Sequence, residues 1–226
     1  MSAPTLQAIS QPEARLAVAR SRAYETFARL FDYPDVELFE DVRDGTLADA
    51  LRAVLTEVDP ELAALGSWDA LRDAGSEPDD LAVEYTRLFD VGASGPPCPL
   101  YGGLYGGARM KTMEEAVRFY NHFELSMAES PRELPDHITT QLEFLHFLAF
   151  REAEALEGDG DPGPYRRAQR DFVSRHPGRW VPRLRARLEE NDPLPFFRDL
   201  VVRLGDFLEH DRLHLIALVG AAPRKD

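Results

Sequence analysis

The feature that most constrains this chain is a hydrophobic periodicity close to 3.6 residues, which recurs from residue 13 to about residue 219. In one clear example, Leu81, Tyr85, Leu88 and Phe89 stand at positions i, i+4, i+7 and i+8, on one face of a helix. Alternating patterns typical of strands are almost absent. The sequence therefore predicts an all-α fold, a single-domain bundle of about ten helices.

Prolines, glycines and N-cap residues divide this periodic sequence into predicted helices. Asp136 is expected to cap the strongest of them, and a further helix is expected to open after Asp79. Three capping boxes are predicted, at Thr46/Asp49, Ser76/Asp79 and Thr112/Glu115. Apart from the helix near Asp79, the predicted helices cover residues 13–32, 35–43, 47–58, 112–122, 137–157, 164–176, 178–190, 194–209 and 212–219. The helix that Asp136 is expected to cap is the one at 137–157. Residues 13–220 are expected to form one helical domain between a flexible N-terminus, 1–12, and a frayed C-terminus, 221–226.

Composition and charge exclude several classes of protein. The net charge of −14 opposes binding to nucleic acid. The one dense basic stretch, from Arg166 to Arg187, is interleaved with acidic and apolar residues at helical spacing, and it is interpreted as a solvated face. No stretch approaches the ~18 apolar residues of a membrane-spanning helix, and the N-terminus lacks the pattern of a secretory signal. Cys98 is the single cysteine, so an intrachain disulfide cannot form. We expect a soluble, cytoplasmic protein without stable membrane insertion.

The segment from residue 91 to residue 107 is unusual because it combines prolines, glycines and aromatic residues in one long connection. Prolines pre-order a loop, so less entropy is lost when a ligand binds. Tyr101 and Tyr105 offer large contact areas with polar tips. Such a surface suits an incoming peptide; alternatively, the aromatic side chains seal the loop against the core.

Two strings resemble parts of metal sites. His210 and His214 stand at i and i+4 with Asp211 between them, which is one residue short of a metalloprotease motif, and no third ligand follows. Glu143 and His146 have the spacing of di-iron bundles, but those sites need a second such pair. We therefore expect a protein that is not an enzyme, and keep a metal-dependent hydrolase using His210 and His214 as a remote alternative.

A succession of motifs in the middle of the chain resembles a known family. The motifs are Glu84-Tyr85-x-x-Leu88-Phe89-x-x-Gly92, Pro96-Pro97-x-Pro99-x-Tyr101-x-x-x-Tyr105, and Leu134-Pro135-Asp136-His137-Ile138 leading into Leu142-Glu143-Phe144-Leu145. In order and spacing the sequence resembles the TorD/DmsD/NarJ family of redox-enzyme maturation chaperones. It is most similar to the branch that serves type II dimethyl sulfoxide reductase-like molybdenum enzymes. Many relatives carry a Glu-Ser pair where this chain has Gly102-Gly103.

The resemblance implies a cytoplasmic, all-helical, TorD/DmsD-like chaperone that binds the catalytic subunit of a molybdenum oxidoreductase through its twin-arginine signal peptide. The client carries molybdopterin guanine dinucleotide, and the chaperone binds no cofactor permanently; it assists cofactor insertion before export. Fourteen motif positions are predicted to bind the client: Tyr85, Leu88, Phe89, Gly92, Pro96, Pro97, Pro99, Tyr101, Tyr105, Leu134, Pro135, Asp136, His137 and Glu143.

Three questions stay open at this point. The chain could instead be a nitrate-reductase-type assembly factor for an enzyme that is not exported. It could be a monomer or a domain-swapped dimer, because the segments 91–107 and 124–136 could act as hinges. Finally, Asp136 and His137 are predicted to hold the connector at 130–137 against the 91–107 loop by hydrogen bonds, shaping one wall of a peptide groove; the alternative is that Asp136 only caps a helix.

Overall fold

The computed structural model describes residues 9–93, 95–106, 108–126 and 133–222. Helices follow one another through these residues, and the pairing outside helices is limited to isolated bridges. The helices are α1 (Pro12–Leu30), α2 (Val36–Asp44), α3 (Thr46–Val58), α4 (Pro60–Ala64), α5 (Asp80–Tyr85), α6 (Arg109–His122), α7 (Ile138–Glu157), α8 (Gly163–Arg175), α9 (Pro177–Glu190) and α10 (Pro195–Val219). The all-α prediction is confirmed.

Helix α1 packs along α7, and α10 lies against α8 and α9. One apolar core runs through these helices and includes Phe27, Phe144, Phe172 and Phe207. A 3₁₀ turn at Asp69–Arg72 links α4 to α5, and a turn of π-helix at Thr86–Asp90 extends α5 towards the 91–107 loop. None of the described helices is long and apolar enough to cross a membrane.

The predicted helix caps differ from those observed. Thr46 lies inside α3, and the carboxylate of Asp44 accepts the Thr46 N–H instead. Asp80 rather than Asp79 binds the backbone before α5, and Thr112 lies one turn inside α6. These boxes do not form because the helices begin at other residues than the hydroxyl-bearing ones.

Other predicted boundaries also move. The helices predicted at 194–209 and 212–219 are one helix, α10. Of the predicted flexible N-terminus, residues 1–8 lie outside the described part, while Ile9 is buried and the Gln11 N–H donates to Glu157 Oε1 at 2.8 Å. Of the predicted frayed end, residues 223–226 are outside the described residues, as are residues 94, 107 and 127–132 of the two predicted hinge segments.

A buried ionic network joins four of the helices. Arg20 of α1 is 1% exposed, and its Nη1 lies 2.8 Å from Glu152 Oε2 of α7. Its Nη2 donates to Gln169 of α8 at 2.6 Å, and its Nε donates to Asp211 of α10. Burial alone would lower the pKa of Arg20, but the two carboxylates raise it above its ordinary value. The network ties α1, α7, α8 and α10 together through a single guanidinium.

This network removes the basis of the hydrolase alternative. Asp211 is fully buried, and it accepts hydrogen bonds from Arg20 and from the Tyr24 hydroxyl, the latter at 2.5 Å. Its carboxylate is therefore not available as a base beside His210 and His214. In the part of the chain that the structure describes, no group of three potential ligands could hold a metal ion.

His176 is expected to make the fold sensitive to acid. Its ring is buried and stacks on Phe172 with centroids 4.4 Å apart, and among the described residues neither ring nitrogen has a hydrogen-bond partner. Burial lowers the pKa of His176 to about 4. Between pH ~6.5 and pH ~4 the unfolded chain therefore binds more protons than the folded one. The free energy of unfolding falls by about 3 kcal/mol as the pH drops through that window. We expect His176→Phe to remove this loss. Urea unfolding at pH 7, 5.5 and 4.5 measures it, and curves that shift in parallel for both proteins would contradict it.

Candidate functional site

The 91–107 loop and the connector at 133–137 lie side by side. Tyr101 and His137 form an antiparallel bridge. The Gly102 N–H donates to the Asp136 carbonyl at 2.9 Å, and the Ile138 N–H donates to the Leu100 carbonyl at 2.9 Å. The loop is thus held in register by backbone bonds on both sides of Tyr101.

Asp136 anchors this pairing from inside. Its side chain is fully buried, and Oδ2 accepts the Gly103 N–H at 2.9 Å. Its Oδ1 has no hydrogen-bond partner in the described part of the chain. The predicted hydrogen bonding of the connector to the loop is observed for Asp136, whereas His137 meets the loop through its bridge and its ring contact with Tyr101; the groove itself stays a prediction. The predicted cap is wrong: His137 is the N-cap of α7, and Asp136 points to the loop instead.

Tyr101 stands at the exposed end of this pairing. Its hydroxyl donates to Glu133 Oε2 at 2.7 Å, and its ring lies 4.8 Å from that of His137. The Arg109 guanidinium lies 5.8 Å from the centroid of the same ring. Burial, together with the hydrogen bond to Glu133, raises the pKa of Tyr101 above its ordinary value. Neither Glu133 nor Arg109 was predictable as a neighbour of Tyr101, because a single charge in a polar stretch of sequence carries no local signal.

Several of the predicted client-binding residues are part of the core. The Phe89 ring lies 5.1 Å from Tyr85 and 5.3 Å from Phe197. The Tyr105 ring stacks on Trp180 at 5.2 Å. These aromatic side chains therefore pack into the core and hold the loop against it, as the alternative interpretation of the sequence predicted. The buried members of the predicted set are Tyr85, Leu88, Phe89, Pro99, Tyr105, Asp136 and His137.

The other predicted residues reach the surface. Gly92, Leu134 and Glu143 are exposed, and Pro96, Pro97, Tyr101 and Pro135 are partly exposed. Tyr33, which lies 5.5 Å from the Tyr85 ring and is 52% exposed, extends the same aromatic surface. The loop and the connector therefore present prolines and tyrosines outwards, above a closed aromatic core.

Carboxylates surround this surface. Burial raises the pKa of Tyr85 above its ordinary range, and the charges of Glu133, Asp32 and Asp90 raise it further. Burial and the charge of Asp32 raise the pKa of Glu143. The potential at the outer end of the tyrosines is therefore negative, and a cation placed there would be stabilised. We call this region the acidic rim. It consists of Tyr33, Tyr101 and Leu134 together with the carboxylates of Asp32, Asp90, Glu133 and Glu143.

The comparisons with known proteins identify the family. The family described as nitrate reductase delta subunit matches residues 44–186. The chlorate reductase assembly chaperone protein of Ideonella dechloratans is 31% identical over 209 residues, covering 92% of this chain and 93% of the relative. The chain belongs to the TorD/DmsD/NarJ family of maturation chaperones.

Two further relatives have related descriptions. The selenate reductase assembly chaperone protein of Thauera selenatis is 35% identical over 157 residues, covering 66% of this chain and 80% of its own. The perchlorate reductase assembly chaperone protein of Dechloromonas aromatica is 32% identical over 189 residues, covering 82% and 84%. These relatives are described as assembly chaperones, which agrees with the prediction that this family member is not an enzyme.

Gly102 and Gly103 are packed closely against neighbouring groups. A Cβ atom on Gly102 would lie 2.7 Å from Trp180 Nε1, and one on Gly103 would lie 2.9 Å from Asp136 Oδ2. The two glycines therefore allow the loop backbone to approach α9 and the connector more closely than side chains would permit.

Gly102→Ala is expected to displace Trp180 and weaken its 3.0 Å hydrogen bond to Gln141. The expected loss of stability is about 1–3 kcal/mol, as for other insertions into a packed core. Thermal unfolding followed by tryptophan fluorescence measures it. Gly205→Ala on α10 is the matched control, because the nearest atom to a Cβ at Gly205 is 4.0 Å away and, as at Gly102, the backbone φ is not left-handed. Equal losses for the two variants would show that steric contact with Trp180 is not the cause.

Proposed function

We propose that this chain is a cytoplasmic chaperone that binds the immature catalytic subunit of a molybdenum oxidoreductase at its twin-arginine signal peptide. It delays export until molybdopterin guanine dinucleotide has been inserted into the client. The acidic rim beside the ordered loop is the observation that carries this proposal. The chaperone itself contributes a binding surface, while the cofactor belongs to the client.

The chemistry of the signal peptide matches this surface. A twin-arginine leader combines a cationic start with an apolar middle. In this proposal the leader's guanidinium groups donate hydrogen bonds to the carboxylates of the rim, in some cases bidentately. The carboxylates concerned are those of Glu133, Asp90 and Glu143. The exposed apolar side chains of Tyr33, Leu134 and the neighbouring prolines offer contact area to the apolar middle.

Apolar contact is expected to supply most of the affinity. Burying a large apolar side chain is worth roughly 1.5–3 kcal/mol, whereas an ion pair at an exposed rim is worth about 0–1 kcal/mol. The two arginines should therefore mainly set the association rate and its dependence on salt. Since Phe89 and Tyr105 are buried, the partly exposed Tyr101 and the exposed Leu134 are the primary contacts.

Glu143→Gln is expected to stabilise the protein and weaken leader binding. Because the pKa of Glu143 is raised in the folded state, its ionisation disfavours folding above that pKa, and this penalty vanishes as the pH falls below the ordinary value of about 4.3. The variant should therefore melt at a higher temperature at pH 7, with no difference near pH 4. Glu25→Gln, at an exposed position on α1, is the matched control and should leave leader affinity unchanged. Unchanged affinity for Glu143→Gln would exclude this carboxylate from the site.

The alternative function, a nitrate-reductase-type assembly factor, has one observation in its favour: the matching family is described as nitrate reductase delta subunit. A nitrate-reductase-type assembly factor would hold an enzyme that is not exported, and it would not depend on a leader. The two functions differ in which part of the client is needed.

Co-purification separates these functions. The tagged chaperone is co-expressed with the catalytic subunit of a molybdenum oxidoreductase of the native host, with and without the leader. We expect deletion of the leader to reduce the recovered subunit at least about tenfold, which corresponds to about 1.4 kcal/mol of binding free energy. Equal recovery of both forms would contradict leader recognition and favour the alternative.

A further inference from the structure

A second cleft lies between α6 and α8, with a volume of about 470 Å³. Phe119, Phe123 and Ala168 line it with apolar surface. Arg118 of α6 and Arg167 of α8 stand on opposite sides. The cleft is formed by residues that the proposed leader site does not use.

The cleft has the opposite polarity to the acidic rim. Its acids are already neutralised: Glu115 pairs with Arg175 at 3.3 Å, and Asp171 pairs with Arg170 at 2.8 Å. No carboxylate in the described part of the chain lies within 4.0 Å of the guanidinium of Arg118 or Arg167, and both residues are exposed. In a chain of net charge −14, a groove with two uncompensated arginines is a local exception.

A strip of arginines connects this cleft to the loop. Arg175, Arg179 and Arg183 follow one another at intervals of four residues and border a recess together with Gly102 and Tyr105. Arg183 donates a hydrogen bond to the Tyr105 carbonyl. The basic strip thus begins at the back of the loop whose front borders the acidic rim.

We propose that the α6–α8 cleft binds an acidic segment of the client polypeptide that lies outside the leader. Charge complementarity selects carboxylate-bearing sequence, and the phenylalanines accept a leucine or an aromatic residue next to it. The inference rests on the proposed function, since it assigns a second contact region for the same client. Opposite charges on the two faces of the loop would orient the client, with its cationic leader on one face and its acidic segment on the other.

Fluorescence anisotropy tests the proposal with a labelled peptide of Glu-Glu-Leu-Phe repeats and its Gln-Gln-Leu-Phe counterpart. We expect the acidic peptide to bind at least about tenfold more tightly than the neutral one. Arg118→Glu and Arg167→Glu should each weaken the acidic peptide about tenfold. Arg52→Glu, which makes the same charge change at an exposed position on α3, should have little effect.

Three outcomes would overturn the proposal. In the first, the acidic and neutral peptides bind with equal affinity. In the second, Arg52→Glu weakens binding as much as the cleft variants do. In the third, inorganic pyrophosphate saturates the cleft while neither peptide binds, so that the cleft is a site for small anions. Titration of the leader peptide into the same variants separates this proposal from the first. Arg118→Glu should leave leader affinity unchanged, whereas absence of leader binding by the unaltered protein would count against the proposed function alone.

Discussion

Arg20→Met is expected to lower the free energy of unfolding by about 3–5 kcal/mol. The substitution keeps a long apolar side chain but leaves Asp211 buried without its cation, while Glu152 retains only its ion pair with Arg166 at 2.7 Å. Uncompensated buried charge is among the most damaging changes in a protein interior. For a chain of this length the loss corresponds to a fall in Tm of roughly 10 °C.

Urea unfolding at pH 7 measures this effect. Arg52→Met removes an arginine from an exposed position and should change stability by no more than about 0.5 kcal/mol. A loss below about 1 kcal/mol for Arg20→Met would show that water or a rearrangement neutralises the two carboxylates, contrary to the network described above.

Asp136→Ala is expected to lower both stability and leader affinity. The substitution leaves the buried Gly103 N–H without its acceptor, at a cost of about 1–3 kcal/mol. It also releases the loop from the connector, so Tyr101 and Glu133 are no longer held side by side. We expect the leader to bind at least about tenfold more weakly, since ordering the loop then costs free energy on binding.

The matched control is Asp35→Ala. Asp35 caps α2 by accepting the Leu38 N–H at 2.9 Å, so its removal should cost about 1 kcal/mol at a distance from the loop. If Asp136→Ala and Asp35→Ala both lose stability and both bind the leader normally, Asp136 only supports the fold and the groove hypothesis fails.

The helices were predictable because their apolar stripes repeat over several turns. The exact helix ends were not, because a cap depends on the backbone at one residue. Gly45, with a φ of +86°, ends α2 and starts α3 directly, which leaves Thr46 no room to act as a cap. Similarly, α10 continues through the buried Asp211, whose charge is compensated by Arg20 from 191 residues away in the chain. A partner so distant in the chain cannot be predicted from the sequence around Asp211.

The candidate site shows the same division. The motif residues identified the loop and the connector, and the pairing of Asp136 with the loop followed from them. The motif did not tell which aromatic residues face outwards. Leu88 and Phe89 occupy the same helical stripe as Leu81, so the periodicity itself already indicated that they belong to the core. The basic stretch that contains Arg167 was predicted to be a solvated face, and the cleft was not predictable because Arg118 comes from a separate helix that only the tertiary fold brings opposite Arg167.

Calorimetric titration of the client's leader peptide into the chaperone, at low salt and at about 0.5 M salt, tests the central claim most directly. At the higher concentration the Debye length is below ~5 Å, so exposed charges are largely screened. We predict binding of one peptide per chain at both concentrations, with a moderate loss of affinity at high salt. Absence of binding at both concentrations would contradict leader recognition, and complete loss at 0.5 M would show that charge, not apolar burial, carries the affinity.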